Sequence, residues 1–252
     1  MPLSGKLALV TGGGRGIGRA VAQLLAARGA RVIVSGRDRA VLDAVAAETG
    51  GVAVVADLGA TGGAETLAGE CANIGRVDIL VNNAGVADGA PLAKTTREMW
   101  DRTLAVNATA PFELCRALVP AMAEAGWGRV INVASTAGVS GSPYTSAYCA
   151  AKHALVGLTR ALAAEFGQCG VTLNALCPGW VDTDMAGRAA ARIAGATGRE
   201  EGEARGILEG MSGQNRMMTA DEVAYAAATL CAEEARGIHG QAIVIDGGGL
   251  LR

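Results

Sequence analysis

The sequence predicts one α/β domain over residues 1–252, a doubly wound seven-stranded parallel sheet flanked by helices on both faces. Seven short apolar runs carry that expectation, at 7–10, 31–34, 52–56, 79–81, 130–134, 171–176 and 242–245. Most are rich in Val and Ile and apolar on successive residues, as in strands buried on both sides. Helical stretches at 17–28, 39–48, 97–125, 146–166 and 220–233 fall between them. Such alternation calls for parallel pairing with right-handed crossovers, and it places ligands at the carboxyl ends of the strands.

Composition narrows the function classes. Half the residues are hydrophobic and 18% are charged, enough apolar material for a large core and too much for a disordered chain. The net charge of -2 comes from 22 basic and 24 acidic residues spread along the chain, so no basic stripe points to nucleic acid. No run approaches about 18 continuous apolar residues, so no membrane span is expected. The first residues lack the apolar stretch of a signal peptide, and the expected location is cytoplasmic. Cys71, Cys115, Cys149, Cys169, Cys177 and Cys231 form no C-x-x-C pair, and no metal site is expected. Scattered on apolar segments, they suit small hydrophobes in a reducing compartment.

The first strand runs into Thr11-Gly12-Gly13-Gly14-Arg15-Gly16-Ile17-Gly18, and a helix follows at once, with Ala20, Leu24 and Ala27 on one face and Val21 and Leu25 beside it. A glycine turn between strand and helix lets backbone N–H groups approach a pyrophosphate, and the helix terminus adds partial positive charge. This is the Rossmann arrangement for a dinucleotide. Its usual ribose-binding carboxylate, about 20 residues on, is absent: that count from Gly16 reaches Gly36. Arg37 stands next, and Arg15 lies in the glycine loop. Two guanidiniums suit a 2′-phosphate, so NADP(H) is expected ahead of NAD(H), although Asp38 offers Arg37 a local partner. Asp57 ends the third strand, where it can accept from the adenine amino group or cap the following turn. Asn82-Asn83-Ala84-Gly85 ends the fourth, with small residues to pass a flat ligand and Asn side chains to tie neighbouring loops.

Tyr148 and Lys152 lie four apart on a helical stretch and so share a face, while Ser135 ends the fifth strand. Together they offer a hydroxyl to orient a carbonyl, a phenol to exchange a proton and a cation beside the phenol. Bringing a phenol from about 10 to near neutrality takes roughly 4 kcal/mol. A cation at about 4 Å supplies that much at an effective dielectric near 20. Lys152 is therefore expected to lower the Tyr148 pKa and to bind the nicotinamide ribose. Cys149 points off their shared face.

These residues resemble the short-chain dehydrogenase/reductase family over essentially the whole chain. The glycine loop 11–18, Asn82-Asn-Ala-Gly85, Ser135 and Tyr148-Cys-Ala-Ala-Lys152 match its cofactor loop, structural motif and active site. The resemblance implies that Leu58 follows Asp57 in the adenine pocket, and that Pro178, Gly179, Val181 and Thr183 lie near the nicotinamide. It also implies that Asn107, in Leu104-Ala-Val-Asn107, holds a water relaying protons from Lys152. By itself a lone helical Asn reads more simply as bonding to local backbone. A homotetramer built on 97–125, 146–166 and the region of 246–249 is implied as well. Segments 129–138 and 174–179 are most similar to 3-oxoacyl thioester reductases and polyketide ketoreductases. The substrate expected first is a small molecule, a 3-oxoacyl thioester on CoA or acyl carrier protein; the alternative is a free secondary alcohol or ketone (steroid, sugar or aryl alcohol). A non-catalytic cofactor-binding protein comes last. A Gly-rich stretch over 184–214 is expected to form short helices as a substrate lid, with Arg188, Arg192 and Arg199 either meeting CoA phosphates or solvated. The pocket is expected between 139–144, Trp180, Met185 and loop 86–91.

Overall fold

The computed structural model describes residues 2–251. Seven strands form one parallel sheet: β1 Leu7–Thr11, β2 Arg31–Gly36, β3 Val52–Val55, β4 Ile79–Asn82, β5 Gly128–Val133, β6 Val171–Pro178 and β7 Ala242–Ile245. Their order is β3-β2-β1-β4-β5-β6-β7, with every pairing parallel. The chain runs outward from β1 to β3, then returns to pair β4 on the other side of β1. That reversal leaves a crevice beyond the carboxyl ends of β1 and β4.

β5 and β6 are buried along their whole length, which is why they read as unbroken apolar runs. One face is covered by α1 (Gly16–Ala27) and α9 (Ala220–Leu230), where Val21 and Leu25 pack with Val223 and Ala227. The buried stripe of α1 is Gly18, Val21, Ala22 and Leu25 with Ala20. Ala27, expected on that face, is exposed at the last turn. The other face is covered by α3 (Gly63–Ile74), α5 (Ala110–Glu124) and α6 (Ser146–Phe166). Local chemistry sets the ends. Asp38 caps α2 (Arg39–Thr49) by accepting from Val41 N, and Gly50 ends it at φ 62°. Thr219 and Glu222 close a reciprocal capping box on α9.

The helix expected over 97–125 is interrupted. α4 (Arg97–Leu104) passes through a π turn, Ala105–Thr109, before α5 begins. Pro111 explains the position: it has no N–H to give the carbonyl four residues back, which is that of Asn107. Segment 184–214 folds into α7 (Asp184–Thr197) and α8 (Glu201–Gly210) around a small core of Ala186, Ala189, Ala190, Ala204, Leu208 and Met217. Among the described residues no helix is long and apolar enough to cross a membrane, and all six cysteines are free.

Candidate functional site

The glycine loop is shaped by backbone that side chains would obstruct. Gly12 sits at φ 62°, and a Cβ there would lie 2.9 Å from Asn83 Nδ2. A Cβ on Gly18 would overlap the Gly12 carbonyl, so only glycine lets α1 start this close to β1. Asn83 Nδ2 donates to Thr11 O (2.9 Å) and Gly12 O (3.2 Å), while the Asn83 and Ala84 amides both donate to Thr11 Oγ1 at 3.0 Å. The Asn83 amide thus braces the loop from β4, as expected of a tie between loops. Thr11, which receives three of these bonds, was not singled out by sequence; its place as the last residue before the glycines was the available signal.

A cavity of about 570 Å³ runs from this loop across the sheet ends, and Gly12, Arg15, Arg37, Asp57, Leu58, Ala84 and Gly85 all line it. The start of α1 carries no acidic residue in its first turn to neutralise the helix dipole. An elongated cleft, a glycine cradle and an uncompensated helix terminus fit a dinucleotide. Gly16, Ile17 and Gly18 open α1, directly after Arg15 in the lining. Across from them Thr183 approaches: a Cβ on Gly16 would lie 3.0 Å from Thr183 Cγ2. Pro178 ends β6, and Gly179 N donates to Ile245 O. Val181 is buried in the core with its backbone bridged to Met218, so only its main chain can face a ligand.

Two charged groups are arranged differently from expectation. Asp38 pairs with Arg15 at 2.9 Å, not with Arg37. As the cap of α2 its carboxylate already faces the helix, and the longer reach from the glycine loop meets it there. Arg37 is exposed and has no ion-pair or hydrogen-bond partner among the described residues. Asp57 meets the capping reading, its Oδ1 accepting from Gly59 N at 2.9 Å, and the residue also lines the cavity.

At the far end of the crevice Ser135 follows β5 with extended backbone. Its Oγ accepts from Ala137 N at 3.1 Å, which leaves the hydroxyl proton uncommitted, and the Ser135 hydroxyl acts on Tyr148 in the direction that favours the phenolate. Tyr148 is half-buried on the first turn of α6, and Lys152 on the next turn is 3% exposed. Lys152 Nζ stands 5.6 Å from the centre of the Tyr148 ring and donates to Val133 O at 2.7 Å. The expectation that Lys152 lowers the phenol pKa is not met in this structure. Burial pushes Tyr148 up, the Ser135 hydroxyl opposes that, and Cys149 adds a smaller upward push. Burial also brings Lys152 down from 10.5 to about 8. Desolvation outweighs mutual attraction because the ammonium is aimed at a carbonyl rather than at the phenol oxygen.

Asn107, in the π turn, is fully buried. Its Oδ1 accepts from Val86 N (3.0 Å) and its Nδ2 donates to Val86 O (2.8 Å). A Cβ on Gly85 would lie 3.0 Å from Asn107 Oδ1 and 3.8 Å from Lys152 Nζ, so these three positions meet. The Asn107 amide is a clamp on loop 86–91, in line with the backbone-bonding reading. Sequence did not reveal the other ties of that loop. Asp88 pairs with Arg102 at 3.5 Å, Ala90 N donates to Tyr144 O at 2.8 Å, and Arg192 of α7 donates to Ala87 O at 3.1 Å. Tyr144 holds φ 63° there and is exposed. Beneath the site a buried chain runs from Asn82 Nδ2 to Asn132 Oδ1 and from Asn132 Nδ2 to Thr159 Oγ1, both 2.8 Å.

A phenol and a hydroxyl side by side, with a buried amine one helical turn away, can bind and protonate a carbonyl oxygen at the end of a dinucleotide cleft. Comparison with known proteins agrees with that chemistry. Residues 6–194 match the family model described as short chain dehydrogenase. The chain is 40% identical to the D-β-hydroxybutyrate dehydrogenase of Cupriavidus necator, covering 98% of each. It is 35% identical to the 3-oxoacyl acyl-carrier-protein reductase of Escherichia coli, again over 98% of each. Among solved structures, a point variant of actinorhodin polyketide ketoreductase with NADPH superposes at a TM-score of 0.92, with 33% identity and 96% of each chain covered. This chain belongs to the short-chain dehydrogenase/reductase family and is an oxidoreductase acting on CH–OH groups.

Proposed function

We propose that this enzyme interconverts 3-oxoacyl and 3-hydroxyacyl groups, preferentially with NADP(H). The placement of Tyr148 one helical turn from buried Lys152, with Ser135 at the end of β5 beside the glycine-cradled cleft, carries the reading. Ser135 and Tyr148 donate to the substrate carbonyl oxygen. Tyr148 gives up its phenolic proton as that oxygen becomes an alcohol, and takes one in the reverse direction. Lys152, whose ammonium titrates near 8, holds the proton that replenishes the phenol and reaches the nicotinamide ribose. The nicotinamide dinucleotide supplies or accepts the hydride when bound. Asn107 fixes the loop that flanks the reacting oxygen.

The cofactor preference rests on Arg37, exposed and without an internal partner, with Arg15 nearby; NAD(H) is the second choice. Segment 184–214 acts as a substrate lid on a single catalytic domain, supported by its own small core. The working form is a cytoplasmic homotetramer. Free cysteines support the compartment, and exposed Phe112, Val244 and Leu250 on the expected contact elements support the assembly.

Both curated relatives act, by their names, on molecules oxygenated at C3. One is a thioester on carrier protein and the other a free acid, so a free hydroxy acid or secondary alcohol is the second reading. NADPH absorbance with acetoacetyl-CoA, acetoacetate and uncharged ketones separates them. Tyr148→Phe should lower kcat at least about 100-fold with cofactor affinity unchanged. Loss of less than tenfold would remove Tyr148 from the chemistry.

A further inference from the structure

Helix α7 crosses the cleft. Its N-cap Thr183 lies against Gly16 of the glycine loop. Arg192 lies nine residues on, about 13 Å along the axis, and its Nη1 donates to the carbonyl of Ala87 at 3.1 Å. Ala87 is two residues beyond Gly85, the position that abuts Lys152 and Asn107. Arg192 therefore overhangs the mouth of the reacting end.

Its electrostatic situation is unlike that of its neighbours. Asp88 is held by Arg102, and Asp182 is taken by both Nη atoms of Arg205, at 3.0 and 2.8 Å. Arg192 has no carboxylate, and its only polar partner among the described residues is the neutral Ala87 carbonyl. A guanidinium has five N–H donors in a planar fork, so most of this fork is uncommitted. Arg188, one turn earlier on the same face, is also exposed and has no ion pair among the described residues.

Resting on the carbonyl-reducing reading of the site, we propose that Arg192 recognises an anionic group of the substrate, a carboxylate or a phosphate. The guanidinium fork fits either anion bidentately, and no internal carboxylate competes for it. The Ala87 bond orients the side chain toward the mouth.

Paired probes that differ in charge test this with NADPH: acetoacetate against methyl acetoacetate, and acetoacetyl-CoA against the acetoacetyl thioester of N-acetylcysteamine. Wild type is expected to favour the charged member of at least one pair. Arg192→Gln should raise KM for that member about 10–100-fold, leaving kcat, NADPH binding, Tm and the neutral member within about threefold of wild type. Arg192→Lys should recover part of the loss. A deficit confined to acetoacetate assigns a carboxylate; one confined to acetoacetyl-CoA assigns a phosphate. Equal losses on charged and neutral members would reduce Arg192 to a latch on the loop and overturn the proposal, as would no loss at all. If wild type turns over none of the four, and Tyr148→Phe matches it, the catalytic reading itself falls. Turnover of all four without regard to charge sinks only the anion site.

Discussion

Lys152 is the most informative residue to remove, because its burial has a thermodynamic signature separable from its chemistry. It is 3% exposed, and burial takes its pKa from 10.5 to about 8, with Cys177 acting weakly in the opposite direction. Below about 8 both folded and unfolded chains carry the charge, and the native state bears its desolvation. Between about 8 and 10.5 the unfolded chain still binds a proton that the folded one has released, so stability rises with pH across that window. At about 1.36 kcal/mol per pH unit, a gap of roughly 2.5 units amounts to about 3 kcal/mol. Lys152→Met removes this dependence. It also deprives Val133 O of its 2.7 Å donor, a cost of about 1–3 kcal/mol that does not change with pH. The observable is therefore the slope and not the offset. Urea midpoints for wild type and Lys152→Met, taken from pH 7 to 10.5, should show wild type gaining about 3 kcal/mol on the variant. Ionisation of cysteines and tyrosines largely cancels in that difference. Parallel stability curves would refute the claim that the amine sits desolvated. The same titration sets a limb near pH 8 in kcat/KM for reduction, above which the proton held by Lys152 is gone.

Two further outcomes follow from the cofactor cleft. Arg37→Ala should reduce kcat/KM for NADPH about tenfold or more while leaving NADH within twofold, since only the 2′-phosphate needs that unpaired guanidinium; equal effects on both cofactors would show that Arg37 is merely solvated. Gly18→Ala places a Cβ on the Gly12 carbonyl and forces α1 away from the loop. Cofactor affinity should drop at least tenfold and Tm by several degrees, and a variant that binds NADPH normally would show that the close approach is dispensable.

Much of this protein was legible before folding because the determinants are local. Strand runs such as 130–134 and 171–176 are apolar on successive residues, and the structure buries β5 and β6 throughout. The spacing of Tyr148 and Lys152 fixed a shared helix face, and the strand–glycine–helix junction fixed the phosphate end. Helix α3 was not singled out, and the π turn hid inside a stretch that otherwise looks helical. Pro111 was the overlooked signal.

The chain's one-dimensional pattern thus determined the order of elements, the parallel sheet and which side chains gather at the candidate site, since period, capping and turn chemistry act over a few residues. Tertiary structure alone decided what those side chains feel. Asp38 chose Arg15 over its sequence neighbour across 23 positions. Burial, rather than a nearby cation, governs the Tyr148 phenol. Arg192 met Ala87 from 105 residues away. Desolvation and long-range pairing depend on distances in space, which no local pattern encodes.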